Sequence, residues 1–195
     1  MLRTLALAAF LMVAALPVTA GYEEGKAAAE RGDYQTAYRE WKPLAEKGDE
    51  RAQNNLGVMY AKGLGVPKNY ALAMKWYRKA ALQRFALAQY SLGFMYEIGQ
   101  GVPKNYALAV KWYRMAARQG FATAQNKLGT LYDFGRGVPK NHVLAFMWFS
   151  LAAARGSKLA VTNLNLIVNR MTPADVSKAQ AMAAKWKPKK AKQTK

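Results

Sequence analysis

The side chains that most often carry catalysis or metal binding are few in this sequence. It contains one histidine, His142, and no cysteine, so disulfides and zinc sites built from Cys and His are excluded. A Ser-His-Asp arrangement would have to use His142, and no other feature of the sequence points to one. His142 stands where two equivalent segments carry Tyr70 and Tyr106, which favours a packing role for it.

The remaining reactive residues do not form a known catalytic pattern either. Four serines are present, and none has lysine three positions later, as the Ser-x-x-Lys motif of acylating enzymes requires. Glycines such as Gly65 are spaced as helix breakers and not as a phosphate-binding loop. Only Glu97, Asp133 and Asp175 follow Arg51 as acids, too few and too scattered to predict a carboxylate pair. The sequence predicts a non-enzyme with no catalytic residues, cofactor or metal.

The charge of the chain is strongly positive and unevenly distributed. Lys and Arg total 30 against 11 Asp and Glu, a formal net charge of +19. Eight of the 11 acids lie between Glu23 and Glu50, whereas 24 of the 30 basic residues lie from Arg51 onward. Such a cationic field favours anionic partners such as acidic lipid, acidic glycan, nucleic acid or an acidic protein face.

The first 20 residues have the three parts of a secretory signal. Arg3 supplies a positive charge, an apolar run covers residues 5–16, and Pro17 interrupts it. Val18-Thr19-Ala20 gives the small-x-small pattern of a cleavage site, with Gly21 as the new terminus. An uncleaved anchor is the alternative, but a spanning helix needs about 20 apolar residues. We therefore expect cleavage after Ala20 and export to the periplasm, or full secretion.

A repeat of 36 residues organises the rest of the chain. The pattern A-Q-x-x-L-G-x-x-Y begins at Ala52 and recurs twice at intervals of 36, and G-V-P-K-N recurs at the same interval from Gly65. Within one unit, the helical spacing of Ala52, Leu56 and Tyr60 predicts a first helix with one apolar face. Asn69 is suited to cap a second helix that runs to about residue 83.

The repeated mid-helix glycines need a physical reason. Gly57, Gly93 and Gly129 occupy equivalent positions in the first helices, and each glycine costs a helix about 1 kcal/mol relative to alanine. Their repetition predicts that a bulky aromatic side chain of a neighbouring helix packs directly against the backbone there.

The segments before and after the three central units continue the same 36-residue register. Thr172 followed by Pro173 and Asp175 predicts the start of a last helix, which ends near Trp186. The helical-repeat domain then covers residues 21–186. Its predicted units are 22–47, 48–83, 84–119, 120–155 and 156–186, and a disordered basic tail follows over 187–195.

The elements A-Q-x-x-L-G-x-x-Y, G-x-G-V-P-K-N-Y and K-W-Y-R-x-A-A resemble those of the Sel-one-like repeat (SLR) family, which is related to the tetratricopeptide repeats. The resemblance covers about residues 22–186. Arg84 departs from it, because equivalent turns carry Gly48 and Gly120. The resemblance implies an all-α fold, an α-solenoid of antiparallel helix pairs wound as a right-handed superhelix. It also implies a protein–protein interaction scaffold or adaptor, and exported bacterial members are often linked with the cell envelope or with host contact.

A partner of such a solenoid is expected on the concave surface that the first helices form. Positions on these helices that point away from the repeated face vary between units, and they are the predicted binding residues. They are Asn54, Val58, Lys62, Tyr90, Phe94, Ile98, Asn126, Thr130 and Phe134. The alternative is that superhelical curvature buries them against the neighbouring helix.

The lysine-rich C-terminus is a second candidate for binding. Lys187, Lys189, Lys190 and Lys192 could attract acidic envelope components such as peptidoglycan or anionic lipid. Nucleic acid is not expected for an exported protein. A solvated tail that only improves solubility is the alternative. High salt should abolish charge-driven binding, whereas binding in an aromatic groove should largely survive.

Overall fold

The computed structural model describes residues 18–188, with side chains from Gly21 onward. The predicted signal segment up to Pro17 and the tail from residue 189 lie outside the described residues. The described part is all-helical, as predicted, and contains no strand. The helices are α1 Val18–Glu30, α2 Tyr34–Glu46, α3 Glu50–Lys62, α4 Tyr70–Leu82, α5 Ala86–Ile98, α6 Tyr106–Arg118, α7 Ala122–Phe134, α8 His142–Ala153, α9 Lys158–Ile167 and α10 Pro173–Lys185, with a 3-10 helix at Val168–Arg170 before α10.

Each α-helix from α1 to α8 packs on the next one along the chain, and α10 folds back onto α8. Successive helix pairs therefore stack as a solenoid, which confirms the predicted architecture. The core is a row of apolar clusters, each built from neighbouring helices and centred on small or aromatic residues such as Ala80, Tyr113 and Phe149. None of the helices between residues 18 and 188 is both long and apolar enough to cross a membrane.

Side-chain caps set the start of α4, α6, α8 and α10. The Asn69 side chain accepts a hydrogen bond from the backbone N–H of Leu72 at 3.0 Å and so caps α4. The asparagines 36 and 72 residues later cap α6 and α8 in the same way. Thr172 caps α10 by accepting from the N–H of Asp175 at 3.1 Å, as predicted. The second helix of each central unit therefore begins with the same asparagine cap.

Each mid-helix glycine lies against an aromatic ring of the following helix. An ideal Cβ on Gly93 would lie 2.6 Å from Cδ1 of Tyr113, far inside normal contact distance. This confirms the interpretation of the repeated glycines. Gly25, which the repeat pattern did not single out, uses the same packing against the indole of Trp41. The other equivalent pairs are Gly57 with Tyr77 and Gly129 with Phe149.

Buried glutamines join successive units. The Gln89 side-chain amide donates to the carbonyl of Ala81 at 3.0 Å. The Gln119 amide then donates to Oε1 of Gln89 and to the carbonyl of Arg84, both at 2.8 Å. The preceding boundary repeats these bonds 36 residues earlier, with Gln83 in place of Gln119. These contacts hold both polar ends of a buried amide and link helices of adjacent units.

The third boundary breaks this pattern. Gln125 still donates to the carbonyl of Ala117 at 3.1 Å, but Arg155 stands where Gln83 and Gln119 stand in earlier units. The guanidinium of Arg155 instead lies over the Trp186 ring, 4.8 Å from its centroid. Among the described residues, Oε1 of Gln125 is buried without a hydrogen-bond partner. Arg155 thus contacts Trp186 at the end of α10, and the hydrogen bond that Gln125 Oε1 would receive from a glutamine at position 155 is missing.

Arg84 is the one described non-glycine residue with a positive φ, +70°. The equivalent Gly48 and Gly120 have φ of +104° and +90°. The turn therefore requires the left-handed conformation at this position, which side chains other than glycine adopt at a cost. The departure of Arg84 from the repeat pattern is a local strain in the solenoid.

Candidate functional site

An open cavity lies between two neighbouring first helices, α3 and α5. Its volume is about 510 Å³, and Val58 and Lys62 of α3 line it opposite Tyr90 and Phe94 of α5. The buried ring of Tyr77 from α4 also lines it. Four of the nine predicted binding residues therefore share one cavity, although they were inferred from separate units.

The side chains at this cavity differ in exposure. Phe94 is 37% exposed, and the Lys62 side chain is also open to solvent. Tyr90 is half-buried because its ring packs against Phe121 and Tyr113, each at a centroid distance of 5.5 Å. Tyr90 thus forms a fixed wall beside the exposed Phe94, whose ring stacks against it at 6.5 Å.

For two of the predicted binding residues, the prediction that their side chains face a partner is wrong. Asn54 is 3% exposed and Asn126 is 5% exposed, so neither can present its side chain to a partner. The angular argument treated each first helix in isolation, whereas the next helix pair covers part of its outer face. Asn126 shows this directly, since its Oδ1 accepts from Nδ2 of Asn163 in α9 at 2.9 Å.

The other predicted residues lie outside the cavity. Ile98 at the end of α5 is 42% exposed, and Phe134 at the end of α7 is 56% exposed. Thr130 is half-buried and donates to the carbonyl of Asn126. The first helices therefore carry exposed apolar side chains beyond the cavity, at the carboxyl ends of α5 and α7.

The electrostatics of the cavity combine neutral phenols with cations. Burial raises the pKa of Tyr77 to about 12, so this phenol stays protonated near neutral pH. Outside the cavity, where Tyr113 packs against Tyr90, burial and then a hydrogen bond to Glu97 raise the pKa of Tyr113. Lys62 and Lys68 line the cavity, and the Lys68 ammonium lies 4.8 Å from the centroid of Tyr70. The cavity presents an aromatic and aliphatic surface with positive charge at its edge.

His142 belongs to a polar cluster that the sequence did not reveal. Its Nε2 lies 3.4 Å from Oδ1 of the buried Asp133. Arg170 donates from Nη1 to both oxygens of the same carboxylate at 3.1 Å. The cluster connects α7, α8 and the 3-10 helix through polar contacts. Between residues 18 and 188, no group of three or more His, Asp or Glu side chains could hold a metal ion.

Little of the predicted basic tail is described. Trp186 packs edge-on against Trp148 at a centroid distance of 6.3 Å, so the chain is anchored up to this residue. Lys187 follows and is exposed. Lys189, Lys190 and Lys192 lie outside the described residues, and binding through them stays a prediction.

Comparison with known proteins shows a close family relationship. A family model described as the Sel1 repeat matches three consecutive segments, 50–85, 86–121 and 122–157. Proteins built from this repeat are typically protein–protein interaction scaffolds, generally without catalytic activity. No curated protein matches the chain.

Solved structures show the same relationship. The chain is 38% identical to a Sel1 repeat protein from Oxalobacter formigenes, over 84% of this chain and 69% of that one, with a TM-score of 0.73. It is 27% identical to a protective antigen of uropathogenic Escherichia coli strains that displays an SLR fold. That match has a TM-score of 0.58 and covers 87% of this chain but only 45% of the antigen.

Proposed function

This chain belongs to the Sel1 repeat family, and we propose on that premise that it is a non-enzymatic scaffold that binds a partner protein through its first helices. The cavity between α3 and α5 carries this proposal. It is an open apolar site of about 510 Å³ with an exposed aromatic residue, Phe94, held beside the rigid ring of Tyr90.

Energetic arguments favour this site as a contact for a partner protein. Aromatic side chains supply large contact areas, and they are enriched among the residues that dominate binding energy. The backbone under Phe94 is fixed because the adjacent Gly93 packs on Tyr113, so little conformational freedom is lost when a partner binds. Lys62 and Lys68 would favour an acidic segment of the partner beside the apolar contact.

Site-specific photocrosslinking tests the proposed surface. A photoreactive phenylalanine analogue is placed at Phe94, and a matched control variant carries it at Leu159. Leu159 is also exposed and apolar, but it lies on α9 away from the cavity. We expect a discrete protein adduct from position 94 only. Equal adducts from both positions, or none from position 94, would remove the cavity from consideration.

The identified partner then allows an affinity measurement with purified proteins. Phe94→Ala should weaken binding about tenfold or more, the range of an interface residue with a large energetic contribution. Its melting temperature should stay close to wild type, because Phe94 is not a core residue. Leu159→Ala should change neither quantity. An affinity loss that Leu159→Ala reproduces would contradict the assignment.

We also propose that the protein is exported and acts in the periplasm or outside the cell. The signal pattern of residues 1–20 supports this proposal. Expression of the full chain with cell fractionation, followed by N-terminal sequencing of the recovered protein, tests it. Recovery in the periplasmic or culture fraction with Gly21 as the first residue is expected. A cytoplasmic protein that retains Met1 would refute it.

A further inference from the structure

The outer surfaces of the second helices carry basic residues in a repeated pattern. Lys75 and Arg78 of α4 are matched 36 residues later by Lys111 and Arg114 of α6. Because residues three apart share one helix face, each helix presents its pair together. We call the whole set the basic face; its members are Lys75, Arg78, Lys79, Lys111, Arg114 and Arg118.

Each half of the basic face borders a groove, and the two grooves are equivalent. The first has a volume of about 500 Å³ and lies between α4 and the turn at Gly101 and Val102. The second has a volume of about 350 Å³ and lies between α6 and the turn at Gly137 and Val138. Their lining residues correspond one to one with an offset of 36, apart from Tyr96, which lines the first alone. The solenoid therefore builds a cationic groove at the same place in two successive units, and Lys75 with Arg78 corresponds there to Lys111 with Arg114.

In the part of the chain that the structure describes, no acid forms an ion pair with these cations. None of the ion pairs found between residues 18 and 188 involves α4 or α6. Glu97, the one acid between Arg51 and Tyr132, is occupied by the ammonium of Lys127 and the hydroxyl of Tyr113. Arg114 is held in place by donation to the hydroxyl of Tyr132 at 2.8 Å. The guanidinium of Arg114 is thus held in position by a neutral hydroxyl and keeps its net positive charge.

Solubility alone does not account for this arrangement. Like charges three and four residues apart, such as Lys75 with Arg78 and Lys79, destabilise a helix. Surfaces that only need to stay soluble intersperse both signs of charge. A pattern that concentrates one sign and repeats it in register with two grooves is suited to a ligand whose own negative charges repeat along a line.

The chemistry of the face narrows the class of ligand. Single-stranded nucleic acid is held by exposed aromatic rings on which bases stack, and peripheral membrane binding uses protruding apolar side chains. On α4 and α6, Leu82 is the one large apolar side chain that is exposed, and no aromatic residue is. Apart from Tyr96 in the first groove, the uncharged lining residues are small or non-aromatic apolar residues, among them Met74 and Val102 in one groove and Val110 and Val138 in the other. Such side chains can contact the C–H faces of sugar rings.

We propose that the basic face binds a linear acidic polysaccharide, with successive anionic groups seated in the two grooves. The basic face belongs to the second helices and shares no lining residue with the cavity between α3 and α5. Binding at the two sites can therefore be tested separately.

Titration of the full chain with polygalacturonate, a linear carboxylated polysaccharide, tests this assignment. The variant Lys75→Gln/Lys111→Gln removes one equivalent cation from each groove. The matched control Lys158→Gln/Lys178→Gln removes the same net charge from exposed positions on α9 and α10. We expect at least a tenfold loss of affinity in the first variant and less than a twofold loss in the control. Since both retain the C-terminal lysines, the difference reports on the basic face alone.

Ligand length provides the second measurement. A chain that engages both grooves gains from effective concentration, so galacturonate oligomers long enough to span the two grooves should bind at least tenfold tighter than the dimer. The single variant Lys111→Gln should reduce this advantage. Equal losses in the two double variants, or no length dependence, would overturn the proposal. Tighter binding of oligothymidylate or of phosphatidylglycerol vesicles at equal ionic strength would also overturn it, in favour of nucleic acid or membrane.

Discussion

Replacement of Gly93 by alanine is the sharpest test of how the repeat packs. The added methyl group would lie 2.6 Å from Cδ1 of Tyr113, whereas carbon atoms pack at about 3.5–4.0 Å. Tyr113 is fully buried and its hydroxyl is bonded to Glu97, so the ring cannot swing away. Alanine improves helix propensity by about 1 kcal/mol, and overpacking costs about 1–3 kcal/mol or more. Because the ring is so constrained, we expect a net loss of about 2 kcal/mol.

Thermal unfolding followed by circular dichroism measures this loss. For a chain of this size, 2 kcal/mol corresponds to a fall in melting temperature of about 4–8 °C. The double variant Gly93→Ala/Tyr113→Leu supplies the control. Its loss should be smaller than the sum of the two single losses, because leucine removes the ring that alanine meets. A melting temperature for Gly93→Ala at or above wild type, or additive losses in the double variant, would refute the packing account.

Three further predictions concern other contacts of the repeat units. Arg84→Gly should raise the free energy of unfolding by up to about 1 kcal/mol in urea denaturation, because φ is +70° there, and a loss of stability would contradict the strain. Gln89→Leu should cost about 1 kcal/mol more than Gln125→Leu, since only Gln89 has both amide atoms bonded, and equal costs would contradict the hydrogen-bond argument. Burial raises the pKa of Tyr77 from 10 to about 12 in the folded state, so between these pH values the unfolded chain loses this proton first. The free energy of unfolding should therefore be unaffected below pH 10 and fall by about 2–3 kcal/mol between pH 10 and pH 12. Urea denaturation of Tyr77→Phe across that range should show a shallower decline than wild type, and an identical decline would show that Tyr77 is not responsible.

The fold was accessible from the sequence because its main contacts repeat. Asn69 and Gly93 recur in register, and each repeated position has one physical reason, a helix cap or a close approach of an aromatic ring. The glutamine contacts could have been found in the same way, since Gln53 and Gln83 both recur 36 residues later. Repetition thus reveals contacts within and between units equally well.

Features outside the repeat were less accessible. Asp133 and Arg170 are 37 residues apart, and Arg170 lies in an irregular segment that no other unit contains. The burial of Asn54 and Asn126 depends on how the next helix pair sits, which a single-helix projection does not include. The candidate site was found in part because Tyr90 and Phe94 break the pattern, while their cavity depends on the curvature between α3 and α5.

The contacts between units bear on how this chain can change in length during evolution. Gln89 donates to the carbonyl of Ala81, and Gln125 makes the same bond to Ala117 one repeat later. Deletion of residues 86–121 would bring Gln125 to the carbonyl of Ala81 and keep this bond. Duplication of that segment would add one more junction with the same bond. Recombination in steps of 36 residues can therefore lengthen or shorten the basic face, and with it the number of grooves, without the need to design a new core.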